Sequence, residues 1–182
     1  VTFSDEVRTM YGHAFRNTPK LIQDFDSKQI EKIWQHAFDT SGLTGVSFNE
    51  QIELIDTMAF ANTNLGELDF TGVTPRIGLL AFYKAGVTSV DLAALTDINV
   101  GAFAGNSITE LYLPKSITRV GAGIFAGNPI ETITVAYDPL ALRAYDYDSF
   151  NKLDFKFLLA GDSSITYYEG GGVDPVYVTS LT

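Results

Sequence analysis

Phenylalanine recurs at a nearly constant spacing through the first two thirds of the chain, and this repeat constrains the fold more than any other feature. The intervals between six of these residues are 23, 22, 22, 21 and 22. Five of the six follow an alanine, and the sixth follows Ile124. Self-similarity at a fixed period of about 20 to 50 residues is typical of a solenoid. The six residues are Phe15, Phe38, Phe60, Phe82, Phe103 and Phe125.

Each period carries a second apolar pattern between its phenylalanines. Residues 108–113 read ITELYL, and the two leucines flank Tyr112. This alternation is typical of a strand that buries one face. The Ala-Phe segment predicts a short helical or 3-10 turn. One such unit cannot close a core, so neighbouring units must stack. We therefore predict an α/β solenoid of about six or seven repeats of some 22 residues, with one parallel β-sheet.

The most regular units resemble a known family. Residues 95–106 read LTDINVGAFAGN and residues 117–128 read ITRVGAGIFAGN, the latter preceded by LYLPKS at 111–116. These motifs resemble the BspA-like leucine-rich repeat, and the resemblance covers roughly residues 1–157. It implies a right-handed leucine-rich-repeat coil. For function, it implies a bacterial cell-surface or secreted protein that acts in adhesion by binding a protein or a glycan.

The chain departs from the family pattern at several positions. Thr74 and Pro139 stand where the pattern has an aliphatic residue, and the first strand slips by a residue around Leu21. The corner that commonly carries a small residue or cysteine in that family carries asparagine here. These asparagines are Asn17, Asn62, Asn106 and Asn128.

The two ends of the array differ from its middle. The chain opens inside a strand at Val1, so we expect further repeats or another module before it. The repeat decays toward residue 157, which predicts a solenoid over 1–157 and a separate segment over 158–182. In that segment, two β-prone runs at 165–168 and 176–178 surround three glycines. They predict either a hairpin that caps the stack or a linker to a further domain.

Composition excludes several classes of partner. Twelve Lys and Arg against 22 Asp and Glu leave a formal charge of −10, so the chain lacks the basic stripe that nucleic acids and anionic membranes attract. The absence of cysteine excludes disulfides and thiolate metal sites. No stretch approaches ~20 uninterrupted apolar residues, so we expect no membrane span.

Catalytic and cofactor motifs are sparse. His13 and His36 both lie two residues before a repeat phenylalanine, which indicates a shared structural position rather than proton transfer. No Ser/His/Asp arrangement can be assembled from motif spacing, and no glycine-rich phosphate motif occurs. We therefore predict a non-enzymatic protein that needs no cofactor.

Acidic residues at alternate spacing raise the question of calcium. Asp24 with Asp26, and Asp146 with Asp148 and Asn151, offer oxygen ligands of the kind that Ca²⁺ prefers. Neither stretch has the glycine and distal glutamate of an EF-hand loop. A solvated acidic loop is favoured, and no metal site is predicted. Whether the loop around Asp146 and Asp148 binds Ca²⁺ stays open.

The solvent face of the strands is the predicted binding surface. Residues between the buried positions point outward, and neighbouring strands about 4.8 Å apart align them in columns. One predicted column contains Asp24, Ser47, Asp69, Asp91, Tyr112, Thr134 and Lys156. The column two residues earlier contains Gly45, Glu67, Ser89, Glu110, Thr132 and Asp154. The predicted ligand-binding residues are Glu67, Asp69, Asp91, Glu110 and Tyr112.

Two explanations of this acidic centre remain open. Like charges on neighbouring strands cost stability unless a ligand or salt screens them, whereas acidic residues also keep an exposed sheet soluble. If a ligand is present, we expect a basic patch of a protein, or a polyhydroxylated glycan with Tyr112 as its aromatic platform. The alternative function is a structural repeat module of a phage fibre or virion appendage, in which the array is a spacer.

Overall fold

The computed structural model describes residues 4, 6–114, 116–117 and 119–135, together with strand segments at 143–144, 165–166, 176–178 and 180–181. These residues form short β-strands, and no helix is present among them. The strands are β1 (Thr9–Met10), β2 (Asp24–Asp26), β3 (Lys32–Ile33), β4 (Gly45–Ser47), β5 (Leu54–Ile55), β6 (Gly66–Asp69), β7 (Arg76–Ile77), β8 (Val87–Asp91), β9 (Asp97–Ile98), β10 (Glu110–Leu113), β11 (Arg119–Val120), β12 (Thr132–Val135), β13 (Arg143–Ala144), β14 (Ile165–Thr166), β15 (Val176–Val178) and β16 (Ser180–Leu181).

Seven of the two-residue strands build one continuous parallel ladder in the order β1-β3-β5-β7-β9-β11-β13. Partners lie one repeat apart, so that Met10 pairs with Ile33 and Ile33 pairs with Ile55. In the first five strands of this ladder, β1, β3, β5, β7 and β9, the second residue is buried. This burial explains the apolar residue before each Ala-Phe turn. The predicted parallel solenoid is confirmed. The solenoid contains two ladders, however, where one parallel β-sheet was predicted, and the ladder of two-residue strands is the second ladder.

The longer strands carry the L-x-L pattern and pair in parallel as β2 with β4, β6 with β8, and β10 with β12. Leu68 and Leu111 point into the core and are almost fully buried. One predicted register is wrong: Asp24 pairs with Gly45, and Asp26 pairs with Ser47. Asp24 therefore shares a column with Gly45 and not with Ser47, because the first strand is shifted by two residues relative to the predicted alignment.

The repeated phenylalanines form one column of stacked rings through the core. Successive centroids are 5.4, 5.2, 5.4, 5.3 and 5.6 Å apart from Phe15 to Phe125, and no adjacent pair is tilted by more than 9°. Five of these rings are at most 1% exposed, and Phe15 is partly buried. The rings and the buried residues of both ladders form a single hydrophobic core. The predicted shared core is confirmed.

The Ala-Phe segments are turns, because their backbone groups bond to the next repeat. The Phe15 amide donates to the Ala37 carbonyl at 2.7 Å, and the Phe60 amide donates to the Ala81 carbonyl at 2.8 Å. A helix would direct these amides to the carbonyl four residues earlier. The residues two before and two after each phenylalanine have positive φ, so the chain reverses twice around the ring. Positive φ is found at His13, Asn17, His36, Thr40, Met58, Asn62, Leu80, Lys84, Gly101, Gly105, Gly123 and Gly127.

Asparagine at the corner joins neighbouring repeats. The side-chain amide of Asn106 donates to the carbonyls of Phe82 and Phe103, both at 2.8 Å, and its oxygen accepts from the Val87 amide at 3.0 Å. Asn128 makes the equivalent bonds one repeat further on. Both side chains are buried, and these bonds satisfy backbone groups that would otherwise lack partners inside the core.

The last described strands pair differently from the rest. β15 adds to β12 in antiparallel orientation, and β14 pairs antiparallel with β16. The boundary between 1–157 and 158–182 stays a prediction, as does the choice between cap and linker. The predicted opening strand at Val1 and the predicted column members Asp154 and Lys156 lie outside the described residues. Within the described part of the chain, no helix has the length and apolar character that crossing a bilayer requires.

Candidate ligand-binding face

The five predicted binding residues lie on one face of the longer strands. Glu67 and Asp69 lie on β6, Asp91 on β8, and Glu110 and Tyr112 on β10. All five side chains are exposed. We call this set the acidic face. Asp69 is the register partner of Asp91, so two carboxylates stand on neighbouring strands at the same level.

The acidic face lines one shallow concavity of about 860 Å³. The wall also includes residues of the predicted columns that were not selected as binding residues, namely Ser47, Ser89 and Thr132. Phe48 and Thr71 line it as well, and sequence reasoning missed both. The Asp-x-Thr spacing was the available signal for Thr71, since a turn of that form returns the threonine toward the aspartate.

The acidic face is negative at neutral pH. The Thr71 backbone amide donates to Oδ1 of Asp69 at 2.7 Å. Hydrogen bonding from this amide, and from the Thr71 side chain, holds the pKa of Asp69 below its ordinary value. No lysine or arginine is among the residues that line the concavity. A cationic ligand would therefore meet four carboxylates without an internal counter-ion in the wall.

Two of the aspartates also have a structural task. Oδ1 of Asp91 accepts from the Ala93 amide at 2.8 Å, as Oδ1 of Asp69 does from Thr71, and both bonds are Asx turns that end a strand. Glu67, Glu110 and Tyr112 differ, because their side chains form no hydrogen bond or ion pair within the part of the chain that the structure describes. Tyr112 is 52% exposed. Among the described residues, the fold makes no polar contact with these three side chains.

The histidines occupy the shared position that their spacing predicts. His13 and His36 both have positive φ, and their rings stack at a centroid distance of 5.1 Å and an angle of 9°. Nδ1 of His36 donates to Oδ2 of Asp39 at 3.0 Å. Asp39 is 3% exposed and also accepts from Arg16 and Asn62. Burial raises the pKa of Asp39, but hydrogen bonds from Asn62, His36 and Thr40 and the charge of Arg16 outweigh it and lower that pKa.

Two of the acidic residues considered as calcium ligands accept hydrogen bonds from neighbouring protein groups. Oδ1 of Asp24 accepts from the Thr44 hydroxyl at 2.8 Å, and Oδ1 of Asp26 accepts from the Lys28 amide at 2.9 Å. Among the described residues, no group of three or more acidic, histidine or cysteine side chains is arranged to hold a metal ion. Asp146 and Asp148 lie outside the described residues.

Comparisons with known proteins agree with this architecture. The model of the BspA type leucine rich repeat region matches in six copies over residues 1–86 and 75–157. The crystal structure of the pneumococcal vaccine antigen PcpA is similar with a TM-score of 0.61 at 24% identity, over 74% of this chain and 38% of that chain. The chain thus spans less than half the length of that antigen. The curated proteins contain no match. The chain belongs to the BspA-type leucine-rich repeat family.

Proposed function

We propose that the chain is a non-enzymatic binding module of a bacterial cell-surface or secreted protein. Its ligand is a protein that presents a basic patch to the acidic face. The observation that carries the proposal is that Glu67, Glu110 and Tyr112 are exposed together in one concavity without a hydrogen-bonding role in the described fold. Tyrosine is enriched among the anchors of protein interfaces, and complementary charges around such an anchor select the partner.

Two further points support this proposal. A vaccine antigen is a molecule that antibodies can reach, so the likeness to PcpA favours a location at the cell surface. The aromatic ring of Tyr112 lines the same concavity as the carboxylates of Glu67 and Asp91, and an aromatic face in an anionic surface suits a lysine or arginine side chain. An anionic glycan is disfavoured, since it would approach four carboxylates.

The test measures the binding of a lysine-rich peptide, followed by a screen of extracellular-matrix proteins. The wild type is compared with a triple variant that combines Glu67→Gln, Glu110→Gln and Tyr112→Ala. We expect this variant to lose the salt-sensitive binding of the wild type while it unfolds at the same temperature, because the fold does not use these side chains. The matched control, Glu50→Gln with Glu53→Gln, changes exposed acidic residues of a different depression and should bind normally.

The outcome also separates this function from the structural one. Equal loss of binding in both variants would show that overall charge, and not the acidic face, attracts the peptide. Unchanged binding in the triple variant would contradict the proposal. If the array is a spacer in a virion appendage, no ligand is captured and the triple variant assembles as the wild type does.

A further inference from the structure

A second exposed surface lies where the chain leaves the strands of the seven-stranded ladder in the first two repeats, directly after β1 and β3. Tyr11 is 73% exposed and Trp34 is 37% exposed. Both stand directly after the last residue of a strand, one repeat apart. The same position carries Asp56 and Gly78 in the next two repeats. We call this surface the aromatic corner; it consists of Tyr11, His13, Trp34, Gln35 and His36.

Backbone hydrogen bonds hold the rows of the aromatic corner in register. The Trp34 amide donates to the Met10 carbonyl at 2.9 Å, and the His13 amide donates to the Gln35 carbonyl at 3.1 Å. The His36 amide donates in turn to the Thr57 carbonyl at 2.9 Å. The rows are therefore separated by about one strand spacing, ~4.8 Å. The hydrogen bonds of the ladder therefore also fix the backbone from which the side chains of the aromatic corner project.

A buried carboxylate orients the imidazole of His36, which stacks on the imidazole of His13. His13 and His36 stack at 5.1 Å, and Nδ1 of His36 is engaged by Asp39. Asp39 is itself held by Arg16 at 3.1 Å and by Asn62 at 3.0 Å. Because Nδ1 donates to this carboxylate, Nε2 is the nitrogen of His36 that remains for a ligand. This support resembles the way in which proteins orient a polar group before a ligand binds.

We propose that the aromatic corner binds a neutral glycan, as a site separate from the acidic face. Exposed Tyr11 and Trp34 rings offer flat apolar surfaces that suit the C–H face of a pyranose ring. The imidazole nitrogens and the Gln35 amide offer hydrogen bonds to the ring hydroxyls. The corner combines exposed rings with hydrogen-bonding side chains, and this combination favours a sugar over an apolar protein surface. A neutral sugar is favoured because Arg16, the nearby cation, is already paired with Asp39.

Trp34 is the only tryptophan of the chain, so its fluorescence reports on this corner directly. The probes are three neutral oligosaccharides, maltohexaose, cellohexaose and chitohexaose. We expect a saturable change in Trp34 emission with at least one of them, at millimolar concentration. Tyr11→Ala keeps the reporter and should weaken that binding about tenfold or more, since it removes one of the two stacking rings. Tyr112→Ala, on the acidic face, should leave it unchanged.

Three outcomes would overturn the proposal. The first is a flat titration with all three sugars, checked by saturation-transfer NMR so that a silent fluorophore is not mistaken for an empty site. The second is wild-type affinity in Tyr11→Ala, with circular dichroism showing that the variant is folded. The third is a protein bound at this corner that none of the three sugars displaces. Loss of peptide binding at the acidic face would affect none of these results, so the two proposals fail independently.

Discussion

Replacement of Phe82 by alanine tests whether the stacked rings hold the repeats together. The Phe82 ring is fully buried and lies between Phe60 at 5.4 Å and Phe103 at 5.3 Å, with both interplanar angles at or below 4°. Phe70 and Phe48 approach it edge-on at 6.0 and 6.4 Å. One substitution therefore removes ring contacts to both neighbouring repeats and to the longer strands.

The expected loss follows from these contacts. A buried Phe→Ala change costs about 3–5 kcal/mol, and Phe82 belongs near the upper end because it touches four rings. Phe82→Leu keeps most of the volume and should cost about 1–2 kcal/mol. The control Tyr112→Ala removes an exposed ring and should cost about 0.5 kcal/mol or less. Since single domains have about 5–15 kcal/mol of stability, Phe82→Ala should remove a large share of it.

Urea unfolding followed by far-UV circular dichroism measures these differences. Trp34 fluorescence follows the second repeat in the same samples, and the two transitions should shift together if the column couples the repeats. A cost for Phe82→Ala below about 1.5 kcal/mol, or one no larger than that of Tyr112→Ala, would refute the idea that the ring column is the main source of stacking energy.

Two further predictions follow from the backbone and from Asp39. A Cβ at Gly121 would lie 2.1 Å from the Val100 amide nitrogen, whereas one at Gly127 would meet its nearest neighbour at 3.7 Å despite a φ of 70°. In thermal unfolding, Gly121→Ala should cost about 3 kcal/mol or more and Gly127→Ala about 1 kcal/mol, and equal costs would contradict this. The pKa of Asp39 is lowered in the folded state, so its ionised form stabilises the fold at neutral pH. That stabilisation should be lost as the pH falls below about 4, making the melting temperature fall more steeply in the wild type than in Asp39→Asn; parallel curves would exclude this role.

The turns show where local pattern was insufficient. An Ala-Phe segment is compatible with a short helical turn, and such a turn is predicted from the sequence. The structure differs because the Phe38 amide finds the Ala59 carbonyl of the next repeat at 2.8 Å. That partner lies 21 residues away, so no local pattern reveals it. The second ladder escaped prediction for the same reason, since its strands are two residues long and exist only through pairing.

The candidate surfaces divide in a similar way. Period-two alternation was enough to place Glu67, Glu110 and Tyr112 on the outer face, because a strand directs alternate side chains to opposite sides. It did not reveal that Asp69 ends its strand with an Asx turn. The aromatic corner had no sequence signal, since Tyr11 and Trp34 hold equivalent positions in only two repeats.

The sequence by itself determined the repeat, its length, the residues of the core and the family. Apolar burial is not directional, so the periodic spacing of apolar residues is enough to predict which side chains are buried. The tertiary structure alone decided the register of Asp24 against Gly45, the non-helical turns and the meeting of side chains at the acidic face and the aromatic corner. Hydrogen bonds are directional and join residues one repeat apart. Their geometry exists only once the coils have stacked.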